Sequence, residues 1–339
     1  MKIKTIKIHG QGNDYIFLDL EENQVHFSDI NNLSIKLSDR HFGIGGDGLI
    51  LIENINTGNA GILPATPTID AGRMPAFPVS PHTARLRIFN ADGSEATTCG
   101  TALRCAAFYL YQKHEKTKID LHTLSGVKKC EIDPITKNVS VNMGKAILEK
   151  EMTIIIDELN IKGYYVNIGN PHFVIFEKEL QVTSYKLQEN KSPQSTETSF
   201  GTTKFFKTIE NHKDFSNPPN VMFVNTGNDR LPQSASLSPP LPLTSRTEFG
   251  TTMGGADCKK DACVPSISIK IWERGSGFTL ACGSGSCATA FVAYKKMKYS
   301  DKIKVYVPGG EVMVNILDDD TCILSGDVKI VFETTININ

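Results

Sequence analysis

The sequence predicts an α/β protein built from two similar halves, and two observations lead to this fold class. With 339 residues, of which 40% are hydrophobic, the chain can bury a sizeable core, and this length favours two domains. One pattern also occurs twice, at 85–111 (RLRIFNADGSEATTCGTALRCAAFYLY) and at 268–294 (SIKIWERGSGFTLACGSGSCATAFVAY). Each copy predicts an alternating strand, a Gly/Ser turn, a Cys-Gly pair, and a helical run rich in alanine and aromatic residues.

Other segments predict the connections around this repeated unit. The stretch KIHGQGNDYIFLDL predicts two strands joined by a turn at HGQGND, and the loop RHFGIGGDG precedes an apolar strand at 49–52. Three segments rich in Gly, Pro, Ser and Thr lack a periodic apolar face, which means that they cannot offset their ordering entropy. We therefore predict surface insertions at 57–84, 189–219 and 226–265.

Composition excludes several classes of partner. The formal charge of −1 leaves no basic stripe for nucleic acid and no acidic tail for a basic protein. No apolar run approaches the roughly twenty residues of a membrane span, and the start MKIKTIKIHG lacks a secretory signal. We expect a cytoplasmic protein with no nucleic-acid or membrane partner.

The eight cysteines argue for reduced thiols rather than a disulfide framework, because the cytosol keeps thiols reduced. The close pairs CGTALRC, CKKDAC and CGSGSC are spaced too widely for the usual CxxC zinc ligands. We therefore expect no metal, although eight cysteines leave a thiol- or metal-binding module as the alternative from another functional class. Cys258 and Cys263 are interpreted as incidental surface thiols, and Cys105 and Cys287 as small core residues.

Cys99 and Cys282 stand in the two copies where the turn meets the helix. A sulfur there lies at the positive end of the helix dipole, which stabilises a thiolate and lowers the cysteine pKa from about 8.5 toward neutrality. The N–H groups that follow can bind a substrate carboxylate. These donors belong to Gly100, Thr101, Gly283 and Ser284.

Two matched cysteines indicate a reaction that runs in both directions. One thiolate removes the α-proton of an amino acid from one face, and the other thiol delivers a proton to the opposite face. A cysteine hydrolase would instead need one nucleophile with a dedicated histidine. The residues therefore predict an amino-acid epimerase that works without a cofactor.

Several blocks in their order along the chain resemble the diaminopimelate epimerase family: HGQGNDYIFLD, RHFGIGGDG, RIFNADGSEATTCG, VNMG, VNIGNPHFVIF, NVMFV, ERGSGFTLACGSGSCA and VPGG. The resemblance implies two similar α/β (α+β) domains, each a mixed sheet wrapped around a central helix, with the active site in the cleft between them. It implies an N-terminal domain at 1–143, to which 327–339 returns, and a C-terminal domain at 144–326. It also implies a homodimer that interconverts LL- and meso-diaminopimelate for lysine and peptidoglycan synthesis, without pyridoxal phosphate or metal.

Carried over by motif, Cys99 and Cys282 are the proton-transfer groups. The resemblance assigns substrate binding to Asn13, Asn90, Asn170 and Asn220, support of the chemistry to His172 and Glu273, and further substrate contacts to Glu273 and Arg274. Structural roles are the alternatives: turns for the asparagines, a buried structural histidine for His172, and a surface ion pair for Glu273 with Arg274.

The chain departs from the family pattern at two places. Cys99, Gly100, Thr101 and Ala102 stand where the family usually has Cys-Gly-Asn-Gly, and Gly277, Phe278 and Thr279 stand where it has Gly-Glu-Thr. These changes leave both thiols in place but bear on substrate choice and activity. A racemase of another amino acid and a degenerate, inactive homologue are therefore the alternatives within the same fold.

Overall fold

The fold is described by a computed structural model for residues 2–23, 29–55, 83–156, 159–177, 203–225 and 264–337. Cys258, Cys263 and most of the three predicted insertions lie outside the described residues.

The described part of the first half contains strands and three helices. Its elements are β1 (Lys2–Gly10), β2 (Asn13–Asp19), α1 (Leu20–Asn23), α2 (Ile30–Ser38), β3 (Gly48–Asn54), β4 (Thr83–Asn90), β5 (Glu95–Ala96), α3 (Gly100–His114), β6 (Lys118–Thr123), β7 (Gly126–Ile132) and β8 (Val139–Lys145).

From β10 to β17 the second half repeats most of this order, without a counterpart of α1 among the described residues. Its elements are β9 (Ile147–Ile156), β10 (Leu159–Asn167), β11 (Pro171–Phe176), α4 (Thr203–Glu210), β12 (Asn220–Asn225), β13 (Ser266–Glu273), β14 (Gly277–Phe278), α5 (Gly283–Met297), β15 (Lys302–Val307), β16 (Gly310–Ile316), β17 (Thr321–Gly326) and β18 (Lys329–Asn337).

The strands pair in the same way in both halves. In the first half β1 is antiparallel to β18 and β2, β2 is parallel to β3, β3 is antiparallel to β4, and β4 is parallel to β6. In the second half β10 is antiparallel to β9 and β11, β11 is parallel to β12, β12 is antiparallel to β13, and β13 is parallel to β15. Antiparallel hairpins β6–β7 and β15–β16 then follow. The repeat therefore extends well beyond the two similar sequence segments, and the predicted fold class is confirmed.

Two strand pairings join the halves. β8 is antiparallel to β17, and β18 returns from the end of the chain to pair with β1. The assignment of 1–143 with 327–339 to an N-terminal domain, and of 144–326 to a C-terminal domain, stays a prediction.

The central helices α3 and α5 are buried on all sides. Every residue of α3 from 100 to 110, and every residue of α5 from 285 to 293, is buried. A helix without a polar face must be enclosed, and here the strands of each half supply the enclosure. Cys105 and Cys287 lie fully buried in these helices, which confirms their interpretation as core residues. No helix in the described ranges is long and apolar enough to cross a membrane.

The N-terminal hairpin and the first parallel strand agree with the sequence. Gln11 and Gly12 form the turn between β1 and β2 with φ of 52° and 81°, the left-handed conformation that a tight hairpin turn requires. The apolar run 49–52 lies within β3, as predicted.

The prediction of a surface insertion at 189–219 is wrong for residues 203–210. Residues 203–210 form helix α4, and Phe205, Phe206 and Ile209 bury one face of it. The short run KFFKTIE carries an amphipathic pattern that the surrounding polar and Ser/Pro-rich composition obscured. The predicted insertion at 57–84 likewise ends too late, because β4 begins at Thr83.

The packing of α4 leads to a stability prediction. Phe206 is fully buried and contacts the rings of Phe205, Trp272 and Phe278 at centroid distances of 5.8, 6.0 and 5.1 Å. Phe206→Ala should lower the free energy of unfolding by about 3 to 5 kcal/mol, because it leaves a cavity in this cluster. The exposed neighbour provides the control, and Lys207→Ala should change the value by less than about 0.5 kcal/mol. Urea denaturation measures both, and equal effects would contradict the packing of α4 into the core.

Candidate active site

Two cysteines cap the two central helices. Cys99 precedes α3 with φ −149° and ψ 120°, and Cys282 precedes α5 with φ −136° and ψ 110°. An extended residue directly before a helix is its N-cap, whose side chain lies beside unpaired backbone N–H groups. The short hairpins β4–β5 and β13–β14 lead the chain into these positions. The predicted junction between turn and helix is therefore present at both cysteines.

The N-termini of α3 and α5 lie against each other. A methyl group built on Gly283 would stand 3.4 Å from the Cα atom of Gly100 and 2.8 Å from Leu324 Cδ2. A methyl group on Gly100 would stand 3.1 Å from the same Leu324 atom. Because Cys99 and Cys282 directly precede these glycines, the contact brings the backbones of the two cysteines close together.

Glu273 acts on both sulfurs. It is the last residue of β13, and its negative charge raises the pKa of Cys99 and of Cys282. Its own pKa is raised by burial, and Oε1 accepts a hydrogen bond of 2.6 Å from the Thr279 hydroxyl. Coulombic effects weaken with distance, so one carboxylate that influences both thiols indicates that the three groups share one small region.

The predicted lowering of the cysteine pKa values is wrong for this structure. Burial raises the pKa of Cys99, and it raises the pKa of Cys282 further, together with the Glu273 charge. The N–H of Ala102, 3.5 Å from Cys99 Sγ, lowers the pKa of Cys99 in part. The N–H of Gly285 lowers the pKa of Cys282, although the two groups do not have the geometry of a capping hydrogen bond. Loss of water around the sulfur thus outweighs the helix N-terminus, because a thiolate is costly to desolvate.

Tyr15 is a contact that sequence reasoning missed. Its hydroxyl lies 3.2 Å from Cys99 Sγ, and it lowers the pKa of that thiol. Ser284 forms a longer hydrogen-bond contact with the other cysteine, with its hydroxyl oxygen 3.6 Å from Cys282 Sγ. The two sulfurs therefore have different neighbours.

His172, near the start of β11, is paired with the half-buried Asn170 that precedes this strand. His172 is fully buried, and its Nε2 lies 3.1 Å from Asn170 Oδ1. Its Nδ1 atom has no hydrogen-bond partner among the described residues. Burial lowers the pKa of His172 to about 3, so the ring is neutral at physiological pH.

Asn220 and Arg274 meet through the backbone. Asn220 is buried at the start of β12, and its Oδ1 accepts a 2.9 Å hydrogen bond from the backbone N–H of Arg274. The exposed guanidinium of Arg274 donates instead to Asn217 Oδ1 at 2.9 Å and to the Pro218 carbonyl at 3.3 Å. Arg274 thus binds the neighbouring loop rather than forming the alternative ion pair with Glu273.

The remaining predicted residues lie in different surroundings. Asn13 opens β2 and is partly buried, whereas Asn90 ends β4, is exposed, and donates from Nδ2 to Ser94 Oγ at 2.9 Å. That bond lies within the β4–β5 turn, as the structural alternative for an asparagine predicted. Thr101 is buried, and its Oγ1 has no partner in the described part of the chain.

Phe278, one of the departures from the family pattern, contacts other aromatic rings. Phe278 is 42% exposed, and its ring packs on Trp272 and Phe206, both at 5.1 Å between centroids. The next residue, Thr279, follows β14 and donates a hydrogen bond from its hydroxyl to Glu273. Within the described ranges, no three His, Cys, Asp or Glu side chains are grouped to hold a metal ion.

The burial of His172 predicts a pH-dependent stability. Its pKa is about 3 in the folded chain and about 6.5 when unfolded, so the unfolded state binds more protons as pH falls through this window. Stability from this group is complete above pH 6.5 and decreases as pH falls. Between pH 7.5 and 5.0, the free energy of unfolding should fall by about 2 kcal/mol more in the native chain than in His172→Gln. Urea titrations at the two pH values test this, and parallel losses would show that His172 titrates normally.

Comparisons with known proteins agree with this architecture. The family model described as "Diaminopimelate epimerase" matches residues 5–149 and 244–331. A diaminopimelate epimerase from Caldanaerobacter subterraneus subsp. tengcongensis is 31% identical, and the match covers 99% of this chain and 100% of that protein.

Two solved structures share the fold at low identity. A phenazine biosynthesis protein of the PhzF family from Bacillus anthracis has a TM-score of 0.59 at 10% identity and full coverage of both chains. A hydroxyproline epimerase from Agrobacterium vitis has a TM-score of 0.55 at 11% identity, covering 99% of this chain and 92% of that chain. The family match spans more than half of the sequence, and the chain therefore belongs to the diaminopimelate epimerase family of isomerases.

Proposed function

We propose that this protein interconverts LL- and meso-diaminopimelate with Cys99 and Cys282 as the two acid/base groups. The observation that carries the proposal is the contact of two cysteine-capped helices at Gly100 and Gly283, with Glu273 acting on both sulfurs. An inversion at one carbon needs an acid and a base on opposite faces, and two thiols from opposite halves of the chain meet that need.

The reaction is balanced without a cofactor. One cysteine, as thiolate, takes the α-proton and becomes a thiol, while the electron pair of the broken C–H bond remains on the substrate. The other cysteine, as thiol, gives its proton to the opposite face and becomes a thiolate. One proton enters and one leaves, so the product differs from the substrate only in configuration, and the reverse reaction exchanges the roles.

The helix N-termini supply the electrostatic part of the mechanism. The N–H groups of Gly100, Thr101, Gly283 and Ser284 are the donors for the α-carboxylate. Binding there reduces the repulsion between the carboxylate and the charge that develops when the α-proton leaves.

The high cysteine pKa values fit a site that is activated by its substrate. In this structure burial favours the thiol form of both cysteines. The ammonium group of an amino acid beside the sulfurs adds a positive charge, which favours a thiolate and offsets the Glu273 carboxylate. Bound substrate therefore increases the thiolate fraction above that of the free protein.

The remaining residues have supporting roles in this proposal. Asn170 is held by His172, and Asn220 fixes the backbone at Arg274, next to Glu273. We propose Asn13, Asn90, Asn170, Asn220 and Arg274 as substrate-binding residues on the strength of the family motif. Asn90 and Arg274 are exposed and bind neighbouring turns, so substrate has to replace those partners.

A racemase of another amino acid is the second candidate. It is favoured by Thr101, which stands where the family usually has asparagine and whose buried hydroxyl is unpaired among the described residues. Racemisation of single L-amino acids with no turnover of diaminopimelate would support this candidate. A folded protein inactive on all of them would support the degenerate homologue.

Solvent exchange tests the leading proposal. Purified protein in D₂O should incorporate deuterium at one α-carbon of LL-diaminopimelate and produce the meso form, as measured by mass spectrometry and chiral chromatography. No exchange with either epimer, by protein that remains folded, would remove the proposal.

Cysteine variants test the assignment of the two thiols. Cys99→Ser and Cys282→Ser should each lower the interconversion rate by at least about a hundredfold, because a hydroxyl is a far weaker acid than a thiol. Cys105→Ala is the control, since Cys105 is buried in the helix that Cys99 caps. This variant should leave the rate nearly unchanged. Equal losses in all three variants would indicate a general folding effect and contradict the assignment.

A further inference from the structure

The two halves place different side chains at equivalent positions. The motifs GNDY and GNPH each contain a glycine with positive φ, 81° at Gly12 and 89° at Gly169, followed by an asparagine. Tyr15 and His172 stand two residues after those asparagines, near the starts of β2 and β11. Tyr15 is thus the counterpart of His172.

The strand registers support this equivalence. In the first half Tyr15 lies opposite Gly48, which lies opposite Asn90. In the second half His172 lies opposite Asn220. Because Val221 pairs with Trp272 in the antiparallel β12–β13 pair, Asn220 lies beside Glu273. Asn90 and Glu273 each stand nine residues before the cysteine of their half.

Tyr15 lies against the sulfur of its own half. Its side chain is 6% exposed, and its hydroxyl lies 3.2 Å from Cys99 Sγ. Burial raises the pKa of Tyr15 well above its usual value, so the phenol keeps its proton and donates to the sulfur when that is a thiolate. With the Ala102 N–H at 3.5 Å, Cys99 Sγ has two donors from different elements.

The charged groups around this contact do not form a hydrogen bond to Cys99 Sγ in the described part of the chain. Glu273 from β13 acts on both Tyr15 and Cys99 and disfavours the thiolate, and Asp47, which precedes β3, acts on Tyr15. Arg104, one turn along α3, is fully buried and interacts electrostatically with Cys99, but its guanidinium donates to Gln11 Oε1 at 2.7 Å. Tyr15 is therefore the only side chain with a hydrogen bond to Cys99 Sγ in the described part of the chain.

We propose that Tyr15 is a positioning residue that fixes the Cys99 sulfur and stabilises its thiolate through the phenol hydroxyl. The corresponding hydroxyl at Cys282 belongs to Ser284, which lies in the helix that Cys282 caps, at the longer distance of 3.6 Å, and Glu273 opposes ionisation of that thiol. The role of this thiolate as a base rests on the proposed function above, whereas the stabilisation itself is a property of the chain without turnover.

Tyr15 also packs in the main hydrophobic core, so the test must separate packing from hydrogen bonding. Tyr15→Phe keeps the ring and removes only the hydroxyl. The control is Tyr109→Phe, which removes another buried hydroxyl, one that donates to Asp19 Oδ2 at 2.7 Å and, among the described residues, has no hydrogen bond to sulfur.

Alkylation by iodoacetamide across a range of pH is the readout, because only the thiolate reacts. Mass spectrometry of the two cysteine peptides reports Cys99 and Cys282 separately in one sample. Tyr15→Phe should move the Cys99 profile to higher pH and slow its alkylation near neutral pH about tenfold, because a charge-assisted hydrogen bond is lost. The Cys282 profile, and both profiles in Tyr109→Phe, should stay in place.

An unchanged Cys99 profile in folded Tyr15→Phe would overturn the proposal and leave Tyr15 with a packing role only. If Tyr15→Phe does not fold, 3-fluorotyrosine at position 15 provides the second test. Its more acidic phenol is a stronger donor and should shift the Cys99 profile to lower pH, and no shift would equally overturn the proposal. Because alkylation needs no turnover, inactivity toward diaminopimelate would affect the proposed function without affecting this result.

Discussion

The close contact between the N-termini of α3 and α5 is the constraint on which the site depends. A side chain at Gly283 would press on Leu324 and on the backbone of Gly100, and one at Gly100 would meet Leu324 and Met143 at 3.1 Å. Leu324 belongs to β17, which pairs with β8 across the two halves. The strand that carries Leu324 thus packs against the helix contact. The helix contact in turn determines the distance between Cys99 and Cys282.

Burial is the second physical factor, and it works against the helix dipole. A sulfur at a helix N-terminus in water would ionise more easily, but here loss of solvent raises the pKa of both thiols. The same loss of solvent keeps His172 neutral and strengthens each remaining interaction with the sulfurs. Individual groups such as the Tyr15 hydroxyl and the Glu273 carboxylate therefore decide between thiol and thiolate more strongly than they would at a surface.

The sequence predicted the repeated unit because its cysteines, glycines and alanines recur in order at 85–111 and 268–294. It did not predict the rest of the repeat, since β1 to β3 and β10 to β12 share strand directions and register but few residues. Helix α4 was missed because a short amphipathic run is surrounded by polar and Ser/Pro-rich sequence. Tyr15 was missed because a tyrosine in an alternating strand looks like a core residue, although the parallel between GNDY and GNPH marks its position. The cysteine pKa values depend on burial that only the packed halves create.

A symmetric scaffold with asymmetric side chains suits the proposed substrates. LL- and meso-diaminopimelate differ at one stereocentre and share the other, so they are diastereomers rather than mirror images. The distal, unchanged end of the substrate must always face the same groups, and this requires the two halves to differ. The reacting carbon needs only one thiol on each face, which the equivalent N-caps of α3 and α5 provide. Differences such as Tyr15 against His172 and Asn90 against Glu273 are therefore compatible with reversible inversion, provided that each sulfur is able to exist as both thiol and thiolate.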